Sequence, residues 1–352
     1  SRGGLPGDID ETIPMTKSNK TNQPQPGPDL VFQPHPLARH RHFQTIYSSL
    51  VPIKGITLRR TAQEMVLEPG QGVRLRGFYS PQPPGESKGL VLLLHGWLGS
   101  AEAAYNVAIG DDLYRHGYAV FRLNLRDHGQ THHLNIEPFR GDLLDEAFAA
   151  TRLIAELEPD RPFYIVGTSM GGNFALRLAW RHSQSPLPNL AQTIAICPAV
   201  NPYHTTLALD NGPLIYLAYF RRKWRKSFRQ KQVAFPALYD FSEELAARNC
   251  LAMSEIFVRH HSPYPDACTY FESYAVSPAM MRVLDSPATI IAAADDSVVP
   301  VADFESFRDI SPYLAIHILP NGGHVGFIDI LPYRYWLSEA ILKLMGDVGG
   351  GI

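Results

Sequence analysis

Beyond residue 60 the chain alternates between short apolar runs and longer stretches of helical period. That is the pattern of a mostly parallel sheet covered by helices on both faces. Strand-like runs fall at residues 74–79, 90–94, 119–123, 163–166, 193–196, 289–293 and 315–319, and helix-like stretches at 101–116, 142–157, 170–181, 301–310 and 332–345. The alternation breaks once, over residues 201–284, where no convincing strand run occurs. This predicts a largely helical lid inserted between the fifth and sixth strands, with residues 31–200 and 285–352 forming one α/β domain. Residues 1–30 are rich in Pro, Gly, Asn and Lys and have almost no apolar periodicity. They cannot offset the entropy of ordering, so a flexible tail is expected, with Met15 a candidate natural start. Residues 31–50 carry enough aromatic side chains to dock on a core.

Composition narrows the classes. A hydrophobic fraction of 45% and a net charge of -2 fit an ordinary soluble globular protein with no global pull toward nucleic acid, so any electrostatic role must be local. Cys197, Cys250 and Cys268 are too few and too scattered for a disulfide framework or a thiolate zinc site, and are read as reduced. No secretory signal order and no apolar run of about 20 residues is present. Cytoplasmic residence follows as the expectation, with membrane contact confined to the surface.

The strongest chemical signal is Gly167-Thr168-Ser169-Met170-Gly171, placed between the apolar run 163–166 and a helical stretch. This is a nucleophile elbow: a sharp strand-to-helix turn exposes the serine, and small residues two before and two after it let neighbouring backbone pass. The helix N-terminus behind Ser169 favours developing negative charge. A serine hydroxyl needs a base, and the base an orienting carboxylate, following in the order serine, acid, histidine. His324, in the glycine-flanked stretch 321–327 after a strand, is the base. Asp295 and Asp296, also just past a strand, are the candidate acids, and the one not used could cap a helix near Pro300. Oxyanion donors are expected from the N-H groups of Met170 and of Trp97, the latter in the loop after 90–94. His95 is read as a brace for that loop. The His-rich stretch 124–133 and His260-His261 fit no zincin spacing and are not read as metal sites. No cofactor or metal is called for.

Several motifs together carry a resemblance: Phe32-Gln33-Pro34-His35-Pro36-Leu37 with Gln44-Thr45-Ile46-Tyr47, His95-Gly96-Trp97-Leu98-Gly99, Gly167 to Asn173 around the elbow, Asp295-Asp296, and Gly322-Gly323-His324-Val325-Gly326-Phe327. From about residue 30 to the end, the chain resembles the YheT-like branch of the α/β-hydrolases. The resemblance implies the α/β-hydrolase fold and an esterase or acyltransferase acting on acyl esters of medium to long chain. It also selects Asp296, four residues before Pro300, over Asp295. The loop Arg126-Asp127-His128-Gly129 departs from the Arg-Gly-rich version associated with many members, which leaves the subgroup and substrate open.

The expected chemistry is ester hydrolysis, with a small-molecule acyl ester as the partner. Ser169 attacks the carbonyl, His324 takes and returns the proton, Asp296 fixes the imidazole tautomer, and Trp97 and Met170 steady the oxyanion. Acyl transfer to an alcohol is the alternative within this chemistry, and the spacing from His324 to Asp329 formally matches an acyltransferase pattern, although Asp329 could cap the last helix. An aspartate-nucleophile hydrolase is disfavoured by Ser169 in the elbow. A non-catalytic binding protein on a hydrolase scaffold is the alternative of another class. Within the lid, the apolar run 214–220 leads into a basic run 221–229, which makes weak peripheral membrane contact through the lid a further expectation.

Overall fold

The structure is a computed structural model that describes residues 28–50, 55–187 and 189–346. The expected tail, with Met15, lies outside these residues except at its end, where Leu30 is already buried in the main core. The main sheet has eight strands: β1 (Gln63–Gly70), β2 (Val73–Ser80), β3 (Leu90–Leu94), β4 (Ala119–Leu123), β5 (Phe163–Thr168), β6 (Leu190–Ile196), β7 (Ala288–Ala293) and β8 (Leu314–Leu319). Their order is β1-β2-β4-β3-β5-β6-β7-β8. From β4 to β8 all neighbours are parallel, whereas β1, β2 and β4 pair antiparallel.

Every residue of β3, β5 and β7 is buried, as expected of strands covered on both faces. The edge strand β1 escapes sequence reading because only Leu67 of its eight residues is buried, which leaves no apolar alternation to see. A separate hairpin pairs β9 (Ile328–Ile330) with β10 (Tyr333–Tyr335).

Helices α1 (Arg41–Leu50) and α2 (Ile56–Thr61) precede the sheet, and α3 (Ala104–Arg115), α4 (Leu144–Ala155), α5 (Met170–His182) and α12 (Trp336–Leu344) cover it. Two expected helices differ. The stretch 301–310 is a 3-10 segment, Val301–Phe307, in which Phe304 and Phe307 are both buried; a three-residue repeat stacks them on one side. The last helix begins at Trp336 and not at 332, because residues 333–335 pair with β9 first.

Between β6 and β7 lie α6 (Pro202–Asn211), α7 (Leu214–Ala234), α8 (Ser242–Ala246), α9 (Cys250–His261), α10 (Ala267–Ser273) and α11 (Pro278–Arg282). Side chains of Asn201, Asn249, Asp266 and Ser277 accept backbone N-H groups at four of the helix starts, which is why this segment breaks into short helices. Its own apolar cluster includes Phe228, Phe241, Met253 and Phe257. A buried ion pair ties it to the loop after β4. Lys231 of α7 donates from Nζ to Asp127 Oδ1 at 2.8 Å and to the carbonyls of His132 at 3.2 Å and Asn135 at 2.7 Å.

The segment ahead of the sheet docks through Phe32, whose ring lies 5.6 Å from Phe327 and 5.3 Å from Trp336. Gln44 is fully buried; its amide donates to the carbonyls of Ala38 and Ile328 and its oxygen accepts the Ile328 N-H.

Candidate active site

Ser169 stands where β5 turns into α5, with φ 53° and ψ -116°, a backbone state that non-glycine residues hold only where the surroundings enforce it. Its N-H donates to the Ile196 carbonyl at 2.8 Å. The flanking glycines are required by contact: a Cβ on Gly167 would fall on the Gly171 carbonyl, and one on Gly171 on the carbonyls of Leu94 and His95.

His324 occupies a loop in which Gly323, Val325 and Phe327 all have positive φ. Its Nε2 lies 2.9 Å from Ser169 Oγ and its Nδ1 2.9 Å from Asp296 Oδ2. The other oxygen of Asp296 accepts the N-H groups of Val298 at 2.7 Å and Val299 at 3.1 Å, which fixes the carboxylate. With Nδ1 donating to the carboxylate, Nε2 is left to accept from the serine hydroxyl.

Asp295 does not cap the following turn. It accepts the Gly323 N-H at 2.9 Å and so anchors the histidine loop, while the N-H groups near Pro300 are taken by Asp296 itself. Asp329 does not cap the last helix either; it accepts the N-H groups of His35 and Ile330 in β9.

The loop after β3 passes against Ser169: a Cβ on Gly96 would lie 3.3 Å from Ser169 Cβ. Tyr105 Oη accepts the Gly96 N-H at 2.7 Å, and His128 Nε2 accepts the Leu98 N-H at 3.1 Å. Trp97 and Met170 line the cavity with Ser169, and among the described residues neither backbone N-H has an acceptor. His95 is fully buried; its Nε2 accepts the Leu125 N-H at 3.2 Å and its Nδ1 faces the Gly96 carbonyl at 2.8 Å. Burial, and then the neighbouring His128, hold it well below the usual imidazole range, so it is neutral and braces the loop.

The His-rich stretch after β4 does not converge on a point. His128 Nδ1 faces the Arg126 carbonyl, His132 Nε2 faces Ser227, and Asp127 is engaged by Lys231 and the Phe139 N-H. Burial pushes the Asp127 carboxyl up to about 6 against the pull of Lys231. His260 and His261 lie beside Glu243 and Glu244. Among the described residues, Cys197, Asp296 and His324 are the group whose ligand atoms lie within 4.8 Å of one another. Burial and the Asp296 carboxylate push the Cys197 thiol well above its usual range, and a protonated thiol is a poor metal ligand.

Two positions carry more than their sequence signal suggested. Thr45 Oγ1 accepts the His324 N-H at 2.9 Å, so α1 holds the histidine loop directly. Tyr216 of α7 meets His42 of α1 at 2.7 Å, joining the inserted helices to the same corner. Residues 44–47 stood out as a motif, but no periodicity marks a threonine as the support of a residue 279 positions away. The cavity in front of Ser169 is walled by aromatic side chains, among them Trp97, Phe139, Phe220, Trp224, Phe228 and Phe271.

The family described as alpha/beta hydrolase fold matches residues 89–329. A Synechocystis sp. protein named "Putative esterase slr0264" is 26% identical over 285 residues, covering 75% of this chain and 76% of the relative. Among solved structures, the Pyrococcus furiosus esterase PF2001 superposes with a TM-score of 0.54 at 17% identity, over 82% of this chain and 91% of that one. Est1E from Butyrivibrio proteoclasticus gives 0.52 at 15% identity, over 81% and 98%. At these identities the two structures speak to fold. Since the matched segment spans well over half of the sequence and contains the elbow, both aspartates and His324, the chain belongs to the alpha/beta hydrolase fold family.

Proposed function

We propose that the protein is a serine-dependent carboxylic ester hydrolase working through an acyl-enzyme intermediate. The observation that carries this reading is the hydrogen-bonded line from Asp296 through His324 to Ser169, 2.9 Å at each step, opening on an apolar cavity. Ser169 Oγ attacks the ester carbonyl as His324 Nε2 takes its proton. The oxyanion forms against the Trp97 and Met170 N-H groups, and His324 returns the proton to the leaving alcohol. Water then repeats the sequence on the acyl-serine. The helices between β6 and β7 act as a lid, and the aromatic wall they contribute suits an acyl chain of medium to long length, in keeping with the YheT-like branch.

The test is labelling with a fluorophosphonate probe, followed by a chain-length series of nitrophenyl esters. Labelling of the parent protein but not of Ser169→Ala is expected, with kcat/KM rising from acetate toward longer acyl chains. An unlabelled parent protein would point to a binding protein, and a preference for acetate would remove the lipid-like substrate.

A further inference from the structure

Helix α7 has two faces of opposite chemistry. Toward the interior, Tyr216, Phe220, Trp224, Phe228 and Lys231 form one stripe at helical spacing, and the last four line the cavity beside Ser169. The opposite stripe runs through Ile215, Tyr219, Arg222, Lys226, Arg229 and Val233, all exposed. Its two ends are aliphatic, with Leu214 79%, Ile215 59% and Val233 81% exposed, more than a helix with an interior to pack against needs to leave in water.

The charges on this helix are one-sided. It holds seven Lys and Arg residues and no Asp or Glu, in a chain whose net charge is -2. Lys231 is engaged by Asp127, Arg221 and Arg225 donate to the Ala247 carbonyl, and Lys223 lies over the Tyr219 ring. Among the described residues, Arg222, Lys226 and Arg229 have neither a hydrogen-bond nor an ion-pair partner. Lys226 and Arg229 also border a surface notch with Gln130 and His133 from the loop after β4.

We infer that this face docks on an anionic lipid surface. Arg222, Lys226 and Arg229 meet lipid phosphates while Leu214, Ile215 and Val233 enter the boundary between headgroups and acyl chains. A nucleic acid would satisfy the cations but leave the aliphatic ends in water, which is why lipid is the better fit. The helix that meets the lipid on one side walls the substrate cavity on the other.

The inference stands apart from the catalytic reading, and binding is therefore measured on the full chain carrying Ser169→Ala. The assay is co-sedimentation with vesicles of phosphatidylcholine alone or mixed with phosphatidylglycerol. Binding to the anionic vesicles at low salt and its loss at high salt are expected. Arg222→Glu, Lys226→Glu and Arg229→Glu together should weaken partitioning by about a hundredfold or more. Leu214→Ser with Ile215→Ser should weaken it without removing its salt dependence. The outward variants should keep the parent's far-UV circular dichroism and urea midpoint, which shows that the fold survives. Equal binding to neutral vesicles, no binding to anionic ones, or a charge-reversed triple variant that sediments like the parent would overturn the inference. So would binding to duplex nucleic acid that anionic vesicles fail to displace.

Discussion

Replacing Lys231 by Met tests how firmly the inserted helices are tied to the sheet. The Lys231 side chain is only 2% exposed and its ammonium makes three hydrogen bonds, one to Asp127, whose side chain is itself 5% exposed. Methionine keeps the length of the stem but leaves Asp127 with the Phe139 N-H alone, and leaves two buried carbonyls unpaired. Removing one partner of a buried pair typically costs about 3–5 kcal/mol.

The pH dependence has a definite sign. In the variant, burial without Lys231 raises the Asp127 carboxyl further above its unfolded value than in the parent, where it already stands at about 6. The extra penalty is therefore full only above that raised pKa and is relieved as protonation proceeds below it. Between pH 7.5 and 5.5 the gap between variant and parent should narrow by roughly 1.5 kcal/mol. Urea unfolding followed by tryptophan fluorescence reads both quantities. The double variant Asp127→Asn/Lys231→Met, which carries no buried charge, should lie closer to the parent than Lys231→Met alone. A single variant within about 0.5 kcal/mol of the parent, or a gap that widens on acidification, would show that the pair does not fasten the segment in the way described.

Asp296→Asn should reduce kcat on a nitrophenyl ester by about 10³–10⁴-fold, whereas Asp295→Asn, which can still accept the Gly323 N-H, should stay within about tenfold of the parent; equal losses would undo the assignment. Thr45→Val removes the acceptor for the His324 N-H and should lower kcat by about 10–100-fold with KM nearly unchanged, as steady-state kinetics would reveal. Phe32→Ala should lower the unfolding free energy by about 3–5 kcal/mol in urea titrations, since its ring packs on Phe327 and Trp336. Burial holds His132 down at about 3, below its unfolded value near 6.5. The neutral ring therefore contributes stability above pH 6.5 that is lost as pH falls, at up to about 1.4 kcal/mol per unit, and His132→Gln should flatten the acid limb of the stability profile by that slope.

How much of this was visible in the sequence depends on how local each cause is. The buried parallel strands announce themselves because both faces are covered, and β3 and β4 have the bounds their apolar runs suggest. The edge strand β1 and the hairpin of β9 and β10 owe their existence to neighbours, so their own residues say little. At the site, Ser169 and His324 sit in glycine-marked turns that a reader can find, and the structure brings both to Asp296. The supports around them were not legible: the roles of Thr45, Gln44 and Tyr216 exist only once distant segments meet. The run 214–229 reads as an apolar piece followed by a basic one, yet it folds as one helix whose two faces, and not its two halves, differ in chemistry.

The grip of α1 on the histidine loop has a consequence for biosynthesis. Thr45 is translated 279 residues before His324, so α1 leaves a ribosome well ahead of the loop it holds. Until that loop has emerged and folded back on α1, Ser169 has no imidazole beside it, so a nascent chain that stops short of residue 324 cannot assemble the hydrogen-bonded line from Asp296 to Ser169.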